Sequence, residues 1–191
     1  MTAQLSAKCG PPFSAQKVDM NPERIFLSQL NKLDRAAFVS RVGWVYEQSP
    51  WVAERVWEHR PFATVDGLHA AMERIVQSAT AEQQIALIQA HPDLAGRLAQ
   101  EGKLTAASTK EQAIAGLNDL TPDQAAEMTR NNTLYRQKFG FPFIVCVRLN
   151  NIGLIREAFA ERLQNGRSRE INVALGEISK IARLRLADVV K

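Results

Sequence analysis

Three short stretches of this sequence hold side chains whose types and spacing suit chemistry. The first is Ala90-His91-Pro92-Asp93-Leu94. Ile85, Leu87 and Ile88 lie in a run of helix formers that leads into His91, and Pro92 disfavours a helical conformation at the residue before it. Proline also suits the first position of a new helix. The spacing therefore predicts an imidazole at a break between two helices, with Asp93 in the first turn of the second, where it complements the helix dipole. Histidine titrates near neutral pH, so a fixed one is a natural proton donor or acceptor.

The second stretch is Ser108-Thr109-Lys110-Glu111-Gln112, in which Ser108 and Glu111 have capping-box spacing. Ser108 Oγ would reach the Glu111 amide and the Glu111 carboxylate would reach back. Exposed amides at such a helix start bind anions or polarised carbonyls, and Glu111 is placed to orient an imidazole. The third is Lys180, Arg183 and Arg185. Two residues apart on a helix, Arg183 and Arg185 point to different faces. One is a solvated charge; the other reaches inward, where a guanidinium fork pairs with a carboxylate or with two carbonyl oxygens. Spacing does not say which. Each stretch also has a purely structural reading: a histidine satisfying a helix end, a cap, a salt bridge.

Helices must position these residues. Pro22 starts a short helix with Ile25 and Phe26; Asp34 caps one carrying Phe38, Val42 and Val45 on one face. Ser49 as cap and Pro50 at the first helical position open a helix with Trp51, Val52 and Val56, which Arg60-Pro61 ends. Thr64 caps the next, whose apolar residues include Val65, Leu68, Met72, Ile75 and Val76. Thr80 with Gln83 is a capping box ahead of the helix that reaches His91. A short helix through Leu94 and Leu98 follows. Thr121-Pro122 opens a longer one past Met128 and Tyr135 to Phe139, with Gly140 as its stop. Asn151 precedes a helix with Ile152, Ile155, Phe159 and Leu163. Ser168 starts the last, with Ile171, Leu175, Ile178, Ile181 and Leu184 on its core side.

Residues 141–147, Phe-Pro-Phe-Ile-Val-Cys-Val, are the one strand-like stretch. No partner strand is evident and Pro142 weakens pairing. The stretch reads as a buried extended connection whose main-chain groups need partners other than a sheet ladder. Those groups are open to a ligand, with Tyr135 and Lys138 as candidate borders of a pocket. Trp44, Trp51, Trp57 and the phenylalanines read as core anchors. The expectation is an all-α, single-domain bundle of about eight or nine helices over residues 21–191. Residues 1–20, with Gly10-Pro11-Pro12, read as a loose tail.

The whole chain bounds the possibilities. Its 191 residues are enough for one domain with a sizeable core. The formal net charge is +4, but the 24 lysines and arginines are scattered among acids, as in Glu54-Arg55 and Glu161-Arg162. That is the pattern of solvated helix faces rather than of a nucleic-acid stripe. Cys9 and Cys146 stand alone and three histidines are spread apart, which argues against a zinc site and for a reducing compartment. No run approaches ~18 apolar residues, so no membrane span is expected. The first twenty residues lack a signal-peptide core, and Val189-Val190-Lys191 is no peroxisomal address. A cytoplasmic protein is expected.

Seven motifs then occur in one order: Glu47 to Trp51 (EQSPW), Arg60 to Phe62 (RPF), Ala90 to Gly96 (AHPDLAG), Ser108 to Gln112 (STKEQ), Ala115 to Leu117 (AGL), Phe139 to Val147 (FGFPFIVCV) and Ile181 to Leu186 (IARLRL). Together they resemble the 2-oxo-4-hydroxy-4-carboxy-5-ureidoimidazoline (OHCU) decarboxylases of urate degradation, over roughly Leu30 to Leu186. The resemblance implies an all-helical homodimer and a cofactor-free, metal-free loss of CO2 from OHCU, followed by protonation to (S)-allantoin. It places the catalytic histidine on His91, beside substrate-contacting Pro92, and the serine and glutamate of the SxxEQ motif on Ser108 and Glu111, within a binding stretch that includes Thr109, Lys110 and Gln112. Main-chain contacts fall on Pro142, Phe143, Ile144, Val145 and Cys146, and the family's arginine on Arg185, with Arg183 close by. On that reading Glu111 orients His91, while amides near Phe143 and Val145 hold the developing anion together with Arg185. Two alternatives stand beside it: a cofactor-free lyase acting on a related small heterocycle, and a non-enzymatic helical module with the FPFIV stretch as its binding surface.

Overall fold

Side-chain caps start five of the helices where the sequence places them; the expected cap at Ser49 does not form, since Pro50 takes the N-cap position and no side chain bonds there. In the computed structural model, which describes residues 24–95, 104–114, 117 and 119–191, Asp34 accepts from the Ala37 amide and Thr64 from that of Gly67. Thr80 and Thr121 form reciprocal capping boxes with Gln83 and Gln124. Asn151 accepts from Leu154. The helices are α1 (Leu27–Leu30), α2 (Arg35–Val42), α3 (Trp51–Val56), α4 (Val65–Gln77), α5 (Ala81–Gln89), α6 (Ala106–Ile114), α7 (Pro122–Phe139), α8 (Ile152–Arg162) and α9 (Arg167–Val189). Two 3-10 turns, Trp57–His59 and Val147–Leu149, complete the set among the described residues.

The fold is all-α. A cap contributes about 1 kcal/mol, whereas burying Leu68, Met72, Ile75 and Val76 of α4 contributes about 1.5–3 kcal/mol per side chain. Packing therefore decides the arrangement: α4 lies against α3 and α9, and α9 also lies against α5. The end of α9 is strapped to the chain ahead of α1 by a single parallel bridge, with Ile25 N–H donating to Val189 O at 2.9 Å and Lys191 N–H to Ile25 O at 2.9 Å. Ile25 and Phe26 are thus outside the helix expected for them, because the bridge takes Ile25; α1 begins at Leu27. The tail of residues 1–20 and the helix expected through Leu98 fall outside the described residues.

The tryptophans are not the innermost anchors. Trp44 is 39 % exposed, and the indole N–H groups of Trp44 and Trp57 donate to the carbonyls of Arg41 and Leu33 at helix ends. A ring that must keep a polar partner sits at the edge of a core. The centre belongs to phenylalanines and Tyr135, whose ring lies 4.6 Å from Phe139 and 5.2 Å from Phe143. Phe143 stacks on Phe159 at 3.7 Å. These contacts seat residues 141–146, which are buried, lie outside every helix and pair with no strand among the described residues.

Candidate active site

Helix α5 delivers His91. Its last turn ends at Gln89, and Pro92 prevents continuation, leaving carbonyls of the final turn without intrahelical partners. The His91 ring folds back on one of them: Nδ1 lies 3.0 Å from Leu87 O. A carbonyl only accepts, so Nδ1 carries the proton. Burial holds the imidazole neutral, with its pKa pushed down to about 4. The Leu87 bond and the charge of Glu47 oppose that shift, and Arg185 reinforces it. In the neutral ring, Nε2 is left with a free lone pair.

Pro92 and Asp93 are not helical. Asp93 pairs with Arg136 of α7, Nε to Oδ1 at 2.9 Å, so the expected dipole partner serves as a tether between α5 and α7 instead.

Helix α6 delivers Ser108 and Glu111, but not as a capping box. The helix begins at Ala106, and the Ser108 amide donates to Thr105 Oγ1 at 3.3 Å. Thr105 takes the role expected of Ser108. Ser108 and Glu111 instead turn inward to Arg185 of α9, which is 2 % exposed. Arg185 Nε donates to Glu111 Oε1 at 2.9 Å and Nη2 to Oε2 at 2.8 Å; Nη1 donates to Glu47 Oε2 at 2.9 Å. Longer bonds run from Nη2 to Ser108 Oγ and from Nη1 to Val45 O. Ser108 in turn donates to Glu47 Oε2 at 3.1 Å.

One expectation is corrected by this geometry. Glu111 does not orient His91: Arg185 takes both its oxygens, and Leu87 O holds the imidazole. The three short bonds of Arg185 go to the two carboxylates, and its bonds to Ser108 Oγ and Val45 O are the long ones at 3.3 and 3.5 Å. Burial opposes the charged forms of both Arg185 and Glu47, yet pairing wins: the Arg185 pKa is raised by Glu111 and Glu47, and that of Glu47 is lowered by Arg185. Arg183 is the solvated one of the two arginines, its side chain 63 % exposed and paired with Asp66.

Glu47 is the residue that sequence reasoning missed. It sits in the irregular turn between α2 and α3 and reads as part of a helix start; the signal was its presence in the EQSPW motif. Of the expected set, the structure brings His91, Pro92, Ser108, Glu111, Gln112, Phe143, Ile144, Val145 and Arg185 to one recess, with Leu94, Val147 and Ile181 joining them. Thr109 and Lys110 are exposed on the other side of α6, and Thr109 Oγ1 donates to Thr105 O. Pro142 and Cys146 are buried without lining the recess. The Cys146 amide donates to Glu177 Oε2, and burial pushes its thiol pKa up. Tyr135 points elsewhere, to Glu170, and Lys138 Nζ donates to Leu163 O.

Gln112 has its Oε1 fixed by the Ala95 amide at 3.0 Å, which leaves the NH2 end as donor. The recess therefore combines a neutral base, an amide donor and a buried guanidinium paired with two carboxylates. That set can take up a proton and steady a delocalised anion. Among the described residues, no group of three or more His, Cys, Asp or Glu is placed to hold a metal ion, and no helix is long and apolar enough to cross a membrane.

The family model of OHCU decarboxylase matches residues 31–187. The chain is 44 % identical over 166 residues to the 2-oxo-4-hydroxy-4-carboxy-5-ureidoimidazoline decarboxylase of Halalkalicoccus jeotgali, covering 87 % of this chain and 92 % of that one. It is 37 % identical over 161 residues to the enzyme of the same name from Mus musculus, with 84 % and 90 % covered. Among solved structures it is similar to a crystal structure of (S)-allantoin synthase, with a TM-score of 0.71 and 29 % identity over 87 % of this chain. The chain spans 54 % of that longer one.

Proposed function

The chain belongs to the OHCU decarboxylase family, and we propose that the recess around His91 and Arg185 is where it carries out the reaction. It is a carboxy-lyase of urate degradation that converts OHCU to allantoin. The substrate carries a hydroxyl and a carboxylate on one ring carbon and a ureido group on the next. Breaking the carbon–carboxylate bond sends an electron pair into the ring, where the adjoining imine delocalises it.

His91 Nε2 accepts the hydroxyl proton, which lets that carbon become a carbonyl, and the resulting imidazolium returns the proton to the neighbouring carbon from one face. A ring nitrogen takes its proton from solvent. Delivery from one face is what gives the (S) product. The Gln112 NH2 is the donor for the developing anion, held ready before the reaction, and the Val145 N–H holds an oxygen of the bound substrate. Arg185, paired with two carboxylates, holds Ser108, Glu47 and Glu111 in place. Pro92 stops α5 so that the imidazole is not carried away by another helical turn. We also infer, from the resemblance, a homodimer working in the cytoplasm.

The observation that carries this reading is the His91–Leu87 hydrogen bond in a buried ring that lines the same recess as Arg185. It fixes the tautomer with a basic Nε2. The test is turnover of freshly generated OHCU followed by circular dichroism of the product: optically active allantoin formed faster than by spontaneous decay is expected. A rate equal to the uncatalysed one would refute the assignment.

A further inference from the structure

Val145 is oriented from outside the recess. The Ile144 carbonyl accepts from Arg162 Nη1 at 2.6 Å, and the Cys146 amide donates to Glu177 Oε2 at 2.7 Å. A trans peptide points its C=O and N–H to opposite sides, and the one cis bond among the described residues is Arg60–Pro61. The Val145 N–H is therefore turned away from Arg162, and the Val145 C=O away from Glu177. Val145 is 6 % exposed and lines the recess, yet among the described residues neither of its main-chain groups has a protein partner. Buried main-chain groups are nearly always paired. An unpaired donor and acceptor on a lining residue mark a place for a ligand's own polar edge.

Arg162 is itself tightly held. Glu170, fully buried, accepts from its Nε at 2.8 Å and from Nη2 at 2.5 Å. Tyr135 OH and Asn165 also donate to that carboxylate. The guanidinium lies 4.3 Å over the Phe143 ring. A buried ion pair is weak evidence for stability, because apolar residues of the same volume often serve as well or better. A cation on the Ile144 carbonyl does something an apolar residue cannot: it fixes that peptide plane and polarises it, which strengthens the Val145 N–H as a donor.

We propose that Arg162 is a positioning residue for the decarboxylation, aiming the Val145 N–H at an oxygen of the substrate by clamping the Ile144 carbonyl. This rests on the recess being the active site. In 15N-labelled wild-type protein titrated with (S)-allantoin, the Val145 amide resonance is expected to move, while that of Cys146, already bonded to Glu177, stays. Arg162→Gln is expected to raise the KM for OHCU about tenfold, the size of one good hydrogen bond, with a smaller change in kcat. Glu170→Gln disturbs the same cluster but leaves the bond to Ile144, so its KM should stay within about twofold of wild type by the same reasoning.

A merely structural Arg162 would lower the melting temperature in both variants and leave both KM values alone, which overturns the proposal. Should Arg162→Gln fail to fold, Arg162→Lys decides. One ammonium cannot serve Glu170 and Ile144 together, so a raised KM supports the clamp and an unchanged one refutes it. A Val145 resonance that stays fixed while the His91 ring signals move overturns the positioning role and leaves the site standing. If neither moves, both fall.

Discussion

Arg185 and Glu111 meet as a two-pronged pair, Nε to Oε1 at 2.9 Å and Nη2 to Oε2 at 2.8 Å, while the remaining Nη1 reaches Glu47. Only a planar fork can serve both carboxylates. Arg185→Lys keeps the charge but satisfies one of them at a time. It should lower kcat/KM by about 10²-fold, the loss expected when the side chains that Arg185 holds are misplaced by about 1 Å at the reacting ring. Stability should fall by about 3 kcal/mol, as when a buried pair is broken. Steady-state kinetics and urea titration read both, and activity within threefold of wild type would refute the role.

His91→Asn removes the base and keeps a small polar group at the end of α5. Far-ultraviolet circular dichroism should be unchanged. The rate should drop by about 10²–10⁴-fold, the usual worth of general acid–base help, and the allantoin that forms should be racemic. Optically pure product from this variant would show that another group delivers the proton.

Glu47→Gln retains an oxygen for Arg185 and Ser108 but loses the charge. Since Glu47 is one of the groups that raise the His91 pKa against burial, the variant should hold the imidazole neutral to a lower pH. The acid limb of kcat/KM should then move to lower pH, and stability should fall by about 1–2 kcal/mol for the weakened buried bonds. An acid limb that stays in place would mean that Glu47 is too well neutralised by Arg185 to act on the ring.

Local signals in the sequence were reliable where a local interaction decides the outcome. Thr64, Thr80 and Thr121 cap helices because the partner amide is three residues away, and Pro92 stops α5 through its own ring. The Ser108–Glu111 pattern failed because two overlapping patterns competed. Thr105 stands three residues ahead of Ser108, and the charge-assisted bonds that Glu111 makes to Arg185 exceed the ~1 kcal/mol of a cap. Glu47 stayed hidden for the same reason from the other side: its partner is 138 residues away, and nothing near it in the chain marks a buried charge. The clamp of Arg162 on Ile144 is equally long-range, and it involves a carbonyl, which no residue type advertises.

Gly140 ends α7 with φ of +79°, and a Cβ built there would meet no atom within 4 Å. Gly140→Ala is therefore a test of backbone strain without steric overlap, expected to cost about 1–2 kcal/mol for the left-handed conformation. It lies ahead of the recess-lining Phe143 to Val145 stretch, whose seating depends on rings and on Arg162. KM should be unchanged in the folded variant. A raised KM would show that this turn, and not the clamp, sets the register of the stretch.

The buried His91 also makes a prediction about stability and pH. In an unfolded chain a histidine titrates near its ordinary value of 6.5, whereas in the fold His91 stays neutral down to about 4. Between those values the unfolded chain binds a proton that the folded chain does not, so acid favours unfolding. The contribution is whole above about pH 6.5 and is lost as pH falls toward 4, about 3 kcal/mol over the window. Glu47, whose pKa is lowered, behaves as a depressed carboxylate: its contribution is present above 4.5 and disappears below that, so the two windows separate. Urea midpoints measured at pH 7.5, 6.0 and 5.0 should fall steeply for wild type. They should fall less for His91→Asn, whatever its offset at neutral pH. Parallel curves would mean that the ring gains its proton inside the fold and is not the neutral base assigned to it.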